Sequence, residues 1–198
     1  MNEMFLTGNH DAQPNSFCYN AAINCLAKSS REDKAVQSEK LLNRMLEDYR
    51  SGRNRQAKPS ALTYSTILNA AAYTRGSPRD QAEAFRIARS CFRDALSLED
   101  ANGVEFAMFL LACARLSPPG AERDVLVESV FVECCRRGLV NELVLRNVHN
   151  AASPRLQRKL LGRPARDVAY EMLPKEWKCN VVSRQSEKYR HKRMGGRA

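Results

Sequence analysis

A stretch of fourteen residues returns after 45 positions. Pro14-Asn15-Ser16-Phe17-Cys18-Tyr19-Asn20-Ala21-Ala22-Ile23-Asn24-Cys25-Leu26-Ala27 is answered by Pro59-Ser60-Ala61-Leu62-Thr63-Tyr64-Ser65-Thr66-Ile67-Leu68-Asn69-Ala70-Ala71-Ala72. Pro14 matches Pro59, Tyr19 matches Tyr64, Asn24 matches Asn69 and Ala27 matches Ala72, without a gap. A weaker third copy runs from Val104 to Ala114, with Phe106 in the place of Tyr64 at an offset of 42. A period of this size marks a stacked array, in which each unit buries its apolar face only against its neighbours.

Within each unit the apolar residues recur at helical spacing. Phe17 to Ala27 reads as one helix and Ala35 to Tyr49 as a second, with Leu41, Leu42, Met45, Leu46 and Tyr49 on one stripe. The Ser51–Lys58 loop separates them from Pro59, which cannot sit inside the preceding helix. The second unit repeats the plan with Leu62–Tyr73 and Gln81–Leu96, broken at Gly76-Ser77-Pro78. The third has Phe106–Leu116, a Pro118-Pro119-Gly120 break and Glu122–Arg136. Helices over Asn141–Ala152, Arg155–Leu161 and Ala165–Met172 follow. The fold class expected is all-α, an array of antiparallel helix-turn-helix units. Its divisions are 1–13, the end of an upstream unit whose beginning is missing; 14–58; 59–102; a degenerate third unit, 103–139; a C-terminal helical cap, 140–182; and a polar basic tail, 183–198, read as disordered. Trp177, the only tryptophan, is expected to anchor the closed end of the stack.

The net charge of +10 is unevenly placed. Residues 155–198 hold 13 Lys/Arg against 4 Asp/Glu, leaving +1 for the rest of the chain. Contacts with a polyanion driven by charge alone therefore belong to the C-terminal end. The seven cysteines have no Cys-x-x-Cys or Cys/His spacing, so neither a zinc site nor any other cofactor is indicated. Most fall on apolar helical positions and read as buried, reduced thiols. The longest apolar run, Phe106–Ala114, is too short to span a bilayer. His10, His149 and His191 are scattered, and no Gly-rich phosphate loop or nucleophile–base spacing points to catalysis or a small-molecule substrate.

The pattern Pro-x-x-apolar-x-Tyr-(Asn/Ser)-x-x-(Ile/Leu)-Asn-x-x-Ala, followed by a helix with a Leu-Leu-x-x-Met core, resembles the pentatricopeptide repeat over Pro14 to about Gly103. Ser117-Pro118-Pro119-Gly120, Cys134-Cys135-Arg136-Arg137-Gly138 and Leu173-Pro174-Lys175-Glu176-Trp177 resemble the terminal region of such proteins from diatoms and other stramenopile algae. The resemblance implies a right-handed α–α superhelix whose first helices line a groove for single-stranded RNA. It also implies work on an organellar transcript, in the mitochondrion or alternatively the plastid. Units of 42–45 residues are longer than the ~35 of that family, with the excess in turns.

By the same resemblance, base-reading residues are Asn20 with Ser60 for the first unit and Ser65 with Asn102 for the second. Asn15 would complete an upstream unit. Phe17, Leu62 and Val104 would flank the bases, and short polar groups on successive repeats would read their edges. Ala107 holds the reader place of the third unit and offers no side-chain hydrogen bond. Asn24 and Asn69, mid-helix, are read as hydrogen-bonding groups between helices. Two readable units specify too few bases for a unique address, so phosphate contacts are expected from Lys188, Arg190, Lys192, Arg193 and Arg197, with Arg155, Arg158 and Lys159 behind them. An ordinary capping role is the alternative for each Asn and Ser at a helix start. The alternative for the whole chain is a protein-binding scaffold of the tetratricopeptide type, within a larger organellar ribonucleoprotein or contacting proteins through its convex face.

Overall fold

The computed structural model describes residues 13–181. Its α-helices are Ser16–Lys28 (α1), Lys34–Arg50 (α2), Ala61–Ala72 (α3), Pro78–Ala95 (α4), Gly103–Leu116 (α5), Ala121–Arg136 (α6), Glu142–Ala151 (α7) and Pro154–Leu161 (α8). Three 3-10 turns follow at Ala165–Asp167, Tyr170–Met172 and Lys175–Trp177, and no strand occurs among the described residues. No described helix is long and apolar enough to cross a membrane.

Local chemistry sets the helix starts. The Asn15 side chain accepts from the Cys18 N–H, Asn141 from Val144 and Ser153 from Leu156, each satisfying a first-turn donor. At α4 the Ser77 hydroxyl and Asp80 carboxylate cap each other's backbone, and Pro78 takes the first helical position, where its missing N–H costs nothing. That is why α4 starts three residues earlier than its apolar stripe indicates. Likewise α5 starts at Gly103 because Asn102 and Glu105 form a capping box. The helix expected over Ala165–Met172 is instead two 3-10 turns joined by extended Val168 and Ala169. An isolated segment of that length, without a side-chain cap, does not recover the cost of helix nucleation.

The first six helices pair as antiparallel hairpins, and the first helices α1, α3, α5 and α7 pack on one another in order. The second helices cover one side of this row: α2 touches α1 and α3, α4 touches α3 and α5, and α6 touches α5 and α7. The segment 140–182 thus opens with α7 as a fourth member of the row, its cap Asn141 continuing the series Asn15, Ser60 and Asn102, while α8 packs on α6. Small residues let the row close up. Ala61, Ala70, Ala71 and Ala72 of α3 and Ala107 and Ala112 of α5 are buried. A Cβ on Gly103 would collide with the Leu139 carbonyl oxygen and the Asn141 amide.

Aromatic rings fill the wider space between the rows. Phe92 stacks on Phe109 at 4.3 Å and meets Phe106 edge-on at 5.3 Å. Trp177 packs edge-to-face on Phe131 of α6 at 5.7 Å, and its carbonyl accepts from the Val140 N–H at 2.8 Å. It therefore clamps the C-terminal segment to α6 and the start of α7, an anchor in the last part of the row. Cys91, Cys113 and Cys134 are buried, whereas Cys25 and Cys179 are exposed.

Two tyrosines at equivalent positions are held differently. The buried Tyr19 hydroxyl donates to Asp48 at 2.8 Å, and burial followed by that bond pushes its pKa up to about 12. Tyr64 has no hydroxyl partner among the described residues. Tyr19→Phe is expected to lower stability by about 1–2 kcal/mol and Tyr64→Phe to change it far less. Leu42→Ala, emptying a fully packed site, should cost about 2–5 kcal/mol. Urea unfolding midpoints of the three variants check the order.

Candidate nucleic-acid interface

The central first helix, α3, leaves one narrow stripe open. In α3 nine of twelve residues are buried, and the others, Leu62, Thr66 and Asn69, fall 4 and 3 apart. Tyr73 continues that line just past the helix end. The matching stripe of α1 is Phe17, Ala21, Asn24 and Lys28, and that of α5 is Val104, Met108, Leu111 and Arg115. Because α1, α3 and α5 stack side by side, the three stripes form one face, on the side of the row away from the second helices.

The face changes character along its width. At the N-terminal edge stand Phe17, Leu62 and Val104, 78%, 62% and 39% exposed, so three apolar side chains at one repeat position face solvent rather than the core. In the middle are small and polar groups. Asn24 is exposed and Asn69 half-buried, and neither side chain has a hydrogen-bond partner among the described residues. This corrects their expected role between helices: they lie on the open stripe, one step past the residues that touch the neighbouring helix. At the C-terminal edge the Arg115 guanidinium lies over the exposed Tyr73 ring, 4.6 Å from its centroid. Lys28 ends α1 on the same line. The Lys34 ammonium, near Arg75 and Arg115, has its pKa lowered by burial first and then by those two charges.

Asn20 and Ser60 are brought together. The Asn20 side-chain carbonyl accepts from the Thr63 hydroxyl at 2.8 Å, and the Thr63 oxygen accepts from the Ser60 N–H at 3.1 Å. Thr63 is fully buried and Asn20 only partly, so this chain of bonds ties α1 to the start of α3 just behind the apolar edge. Ser65, the counterpart of Asn20, is buried, and its hydroxyl donates to the Leu62 carbonyl at 3.1 Å in its own helix. Asn102 is half-buried and accepts from the Val104 N–H. No hydrogen bond joins Asn102 to Ser65. Ala107 is buried, and its carbonyl accepts from Asn147 of α7 at 2.7 Å. Asn15 is exposed at the start of α1.

Of the cationic candidates, Arg155, Arg158 and Lys159 lie on α8, which packs on α6, and not on this face. Arg155 and Arg158 are exposed, and Lys159 pairs with Glu128 at 2.5 Å. Lys188, Arg190, Lys192, Arg193 and Arg197 lie outside the described residues. Lys28, Tyr73 and Arg115 escaped sequence reasoning, although they stand eleven residues after Phe17, Leu62 and Val104 and so on the same helical line.

Thr63 has a counterpart of different chemistry one unit on. Glu105 is buried between α3 and α5, and its carboxylate accepts from the Asn102 N–H at 2.7 Å. Burial pushes its pKa up to about 7, against a smaller opposing effect of backbone hydrogen bonds. No metal-binding cluster of His, Cys, Asp and Glu occurs among the described residues.

Comparison with protein families, with curated proteins and with solved structures found no match to the chain. The fold and the face together define an all-helical protein built as stacked helical hairpins. Its open face is apolar at one edge and aromatic and cationic at the other.

The raised pKa of Glu105 gives a test of the buried edge. A carboxyl whose folded pKa lies above its unfolded one favours folding while protonated. Its contribution is lost as pH rises from about 4.5 to about 7, on the order of 3 kcal/mol. Glu105→Gln keeps an oxygen for the Asn102 N–H but cannot ionise. The variant should match the parent near pH 4 and unfold at higher denaturant than the parent at pH 8.

Proposed function

We propose that the open face of the first helices binds single-stranded RNA without catalysis. The observation that carries this reading is the exposure of Phe17, Leu62 and Val104 at one position of three stacked helices. Apolar steps repeated along a row suit unstacked bases, which gain from contact with flat apolar surface whatever their identity. Phosphates would run along the other edge, toward Lys28 and the Tyr73–Arg115 pair.

Selectivity would come from the polar groups behind the apolar edge. Asn20 spends its carbonyl on Thr63 and keeps its amide N–H groups for a base acceptor, with Ser60 beside it. Ser65 would have to leave its bond to Leu62 before it could read a base, so the Ser65–Asn102 step would read weakly. A right-handed superhelical course, continued by further repeats of the pentatricopeptide kind, would lengthen the RNA footprint. The organellar setting implied by that resemblance belongs to the same proposal.

Selection from a random single-stranded RNA pool tests the reading. Phe17→Ala should weaken binding about 5- to 50-fold, the loss of one stacking contact, and Leu62→Ala should weaken it less, since an aliphatic side chain gives apolar contact without a π-face. Their melting temperatures should not move, because both side chains are exposed. Unchanged affinity in both variants, or binding that disappears on removing residues 183–198 alone, would refute it.

A further inference from the structure

The second helices are not evenly clasped. Between α2 and α4, Arg86 grips both carboxylate oxygens of Glu39 at 2.9 and 2.7 Å. Between α4 and α6 no ion pair forms among the described residues, and the helices part to leave a cleft of about 440 Å³. Only Arg137 spans it, at one end, donating to the Leu96 carbonyl at 3.1 Å. The floor is apolar, made by the stacked Phe92 and Phe109 with Leu126 and Val130.

The rim carries positive charge. Arg89 and Arg93 line the α4 side, and neither has a carboxylate within ion-pair distance among the described residues. The one acid of the lining, Glu133, is taken by Arg136 at 2.7 Å and Arg137 at 2.6 Å, which together hold its carboxyl well below the usual range. On the α6 side Val125, Ser129 and Val132 follow at spacings of 4 and 3, all exposed, so the apolar surface runs out of the cleft onto the helix. Unsatisfied cations facing an apolar trough across an exposed valine stripe describe a half-interface.

We infer that the α4–α6 cleft is a docking site for an acidic, amphipathic peptide segment of a partner protein, with an aromatic or aliphatic anchor on the Phe92–Phe109 floor. Carboxylates of the segment meet Arg89 and Arg93, and its second apolar residue covers Val125 or Val132. The chain's own C-terminal segment is the wrong occupant, because residues 183–198 carry six Lys/Arg and one Glu. Nucleic acid also fits poorly: the two unpaired arginines stand on one side only, and the facing Leu126, Ser129 and Val130 offer no run of cations for a phosphate backbone to follow. The site lies on the opposite row from the RNA face, and the two should be occupied independently.

A phage-displayed library of random 12-residue peptides, selected on the full chain, is the test. Enriched sequences should be net negative with Phe, Trp or Leu at helical spacing. A synthetic representative should lose at least tenfold in affinity to Ser129→Trp, which fills the cleft, and to the Arg89→Glu/Arg93→Glu pair. All three residues are exposed or half-exposed at the rim, so circular dichroism should report an unchanged fold, and RNA binding should be unaffected. No enrichment, enrichment of neutral or basic peptides, or equal binding to both variants overturns the inference. So does competition by single-stranded RNA, or self-association of the chain that Ser129→Trp abolishes.

Discussion

Close contact between consecutive first helices is the constraint from which the rest of the molecule follows. Alanines on α3 and α5 and the bare Gly103 let backbones approach where larger side chains would hold them apart. The buried sides of α3 are consequently used up by α1, α5 and the second helices, and one stripe of it is left over. A face made of leftovers is still ordered: α1, α3 and α5 leave the same repeat positions open, so their side chains fall into a row. Exposure of Phe17 and Leu62 is then a product of register and not of poor packing.

The same contact decides which polar groups are free. The interface between α1 and α3 contains a hydroxyl, Thr63, which binds Asn20 and the Ser60 backbone. At the next interface a carboxyl, Glu105, stands in that place and binds the Asn102 backbone. A buried hydroxyl is satisfied by two neighbours at little cost, whereas a buried carboxyl resists ionisation. Recognition and stability therefore share residues at this edge. The outer row is looser, clasped by Arg86 and Glu39 on one side of α4 and open on the other, which separates two surfaces of different chemistry on one scaffold.

Much of this architecture was legible in the residues because a fourteen-residue stretch repeats without a gap and the breakers are proline and glycine. The apolar edge was legible too, as Phe17, Leu62 and Val104 share one place in the repeat. The fourth member of the row was hidden, since Leu145 and Arg146 stand where earlier units have Tyr-Asn and Tyr-Ser, and only the cap Asn141 kept the series. Asn24 and Asn69 misled because an asparagine among apolar neighbours reads as buried, when a helix turn of 100° per residue carries it onto the open line. Ser65 could not be placed from sequence, because bonding back to its own helix and pointing outward use the same residue type.

Hydroxyl-radical footprinting of the full chain, free and with single-stranded RNA, bears most directly on the idea of one open row. Phe17 and Leu62 should oxidise readily in the free protein while Phe106 and Phe109 do not, and RNA should protect Phe17 and Leu62 together. Low reactivity of either in the free chain, or RNA protection that falls elsewhere and leaves both unchanged, would contradict the account.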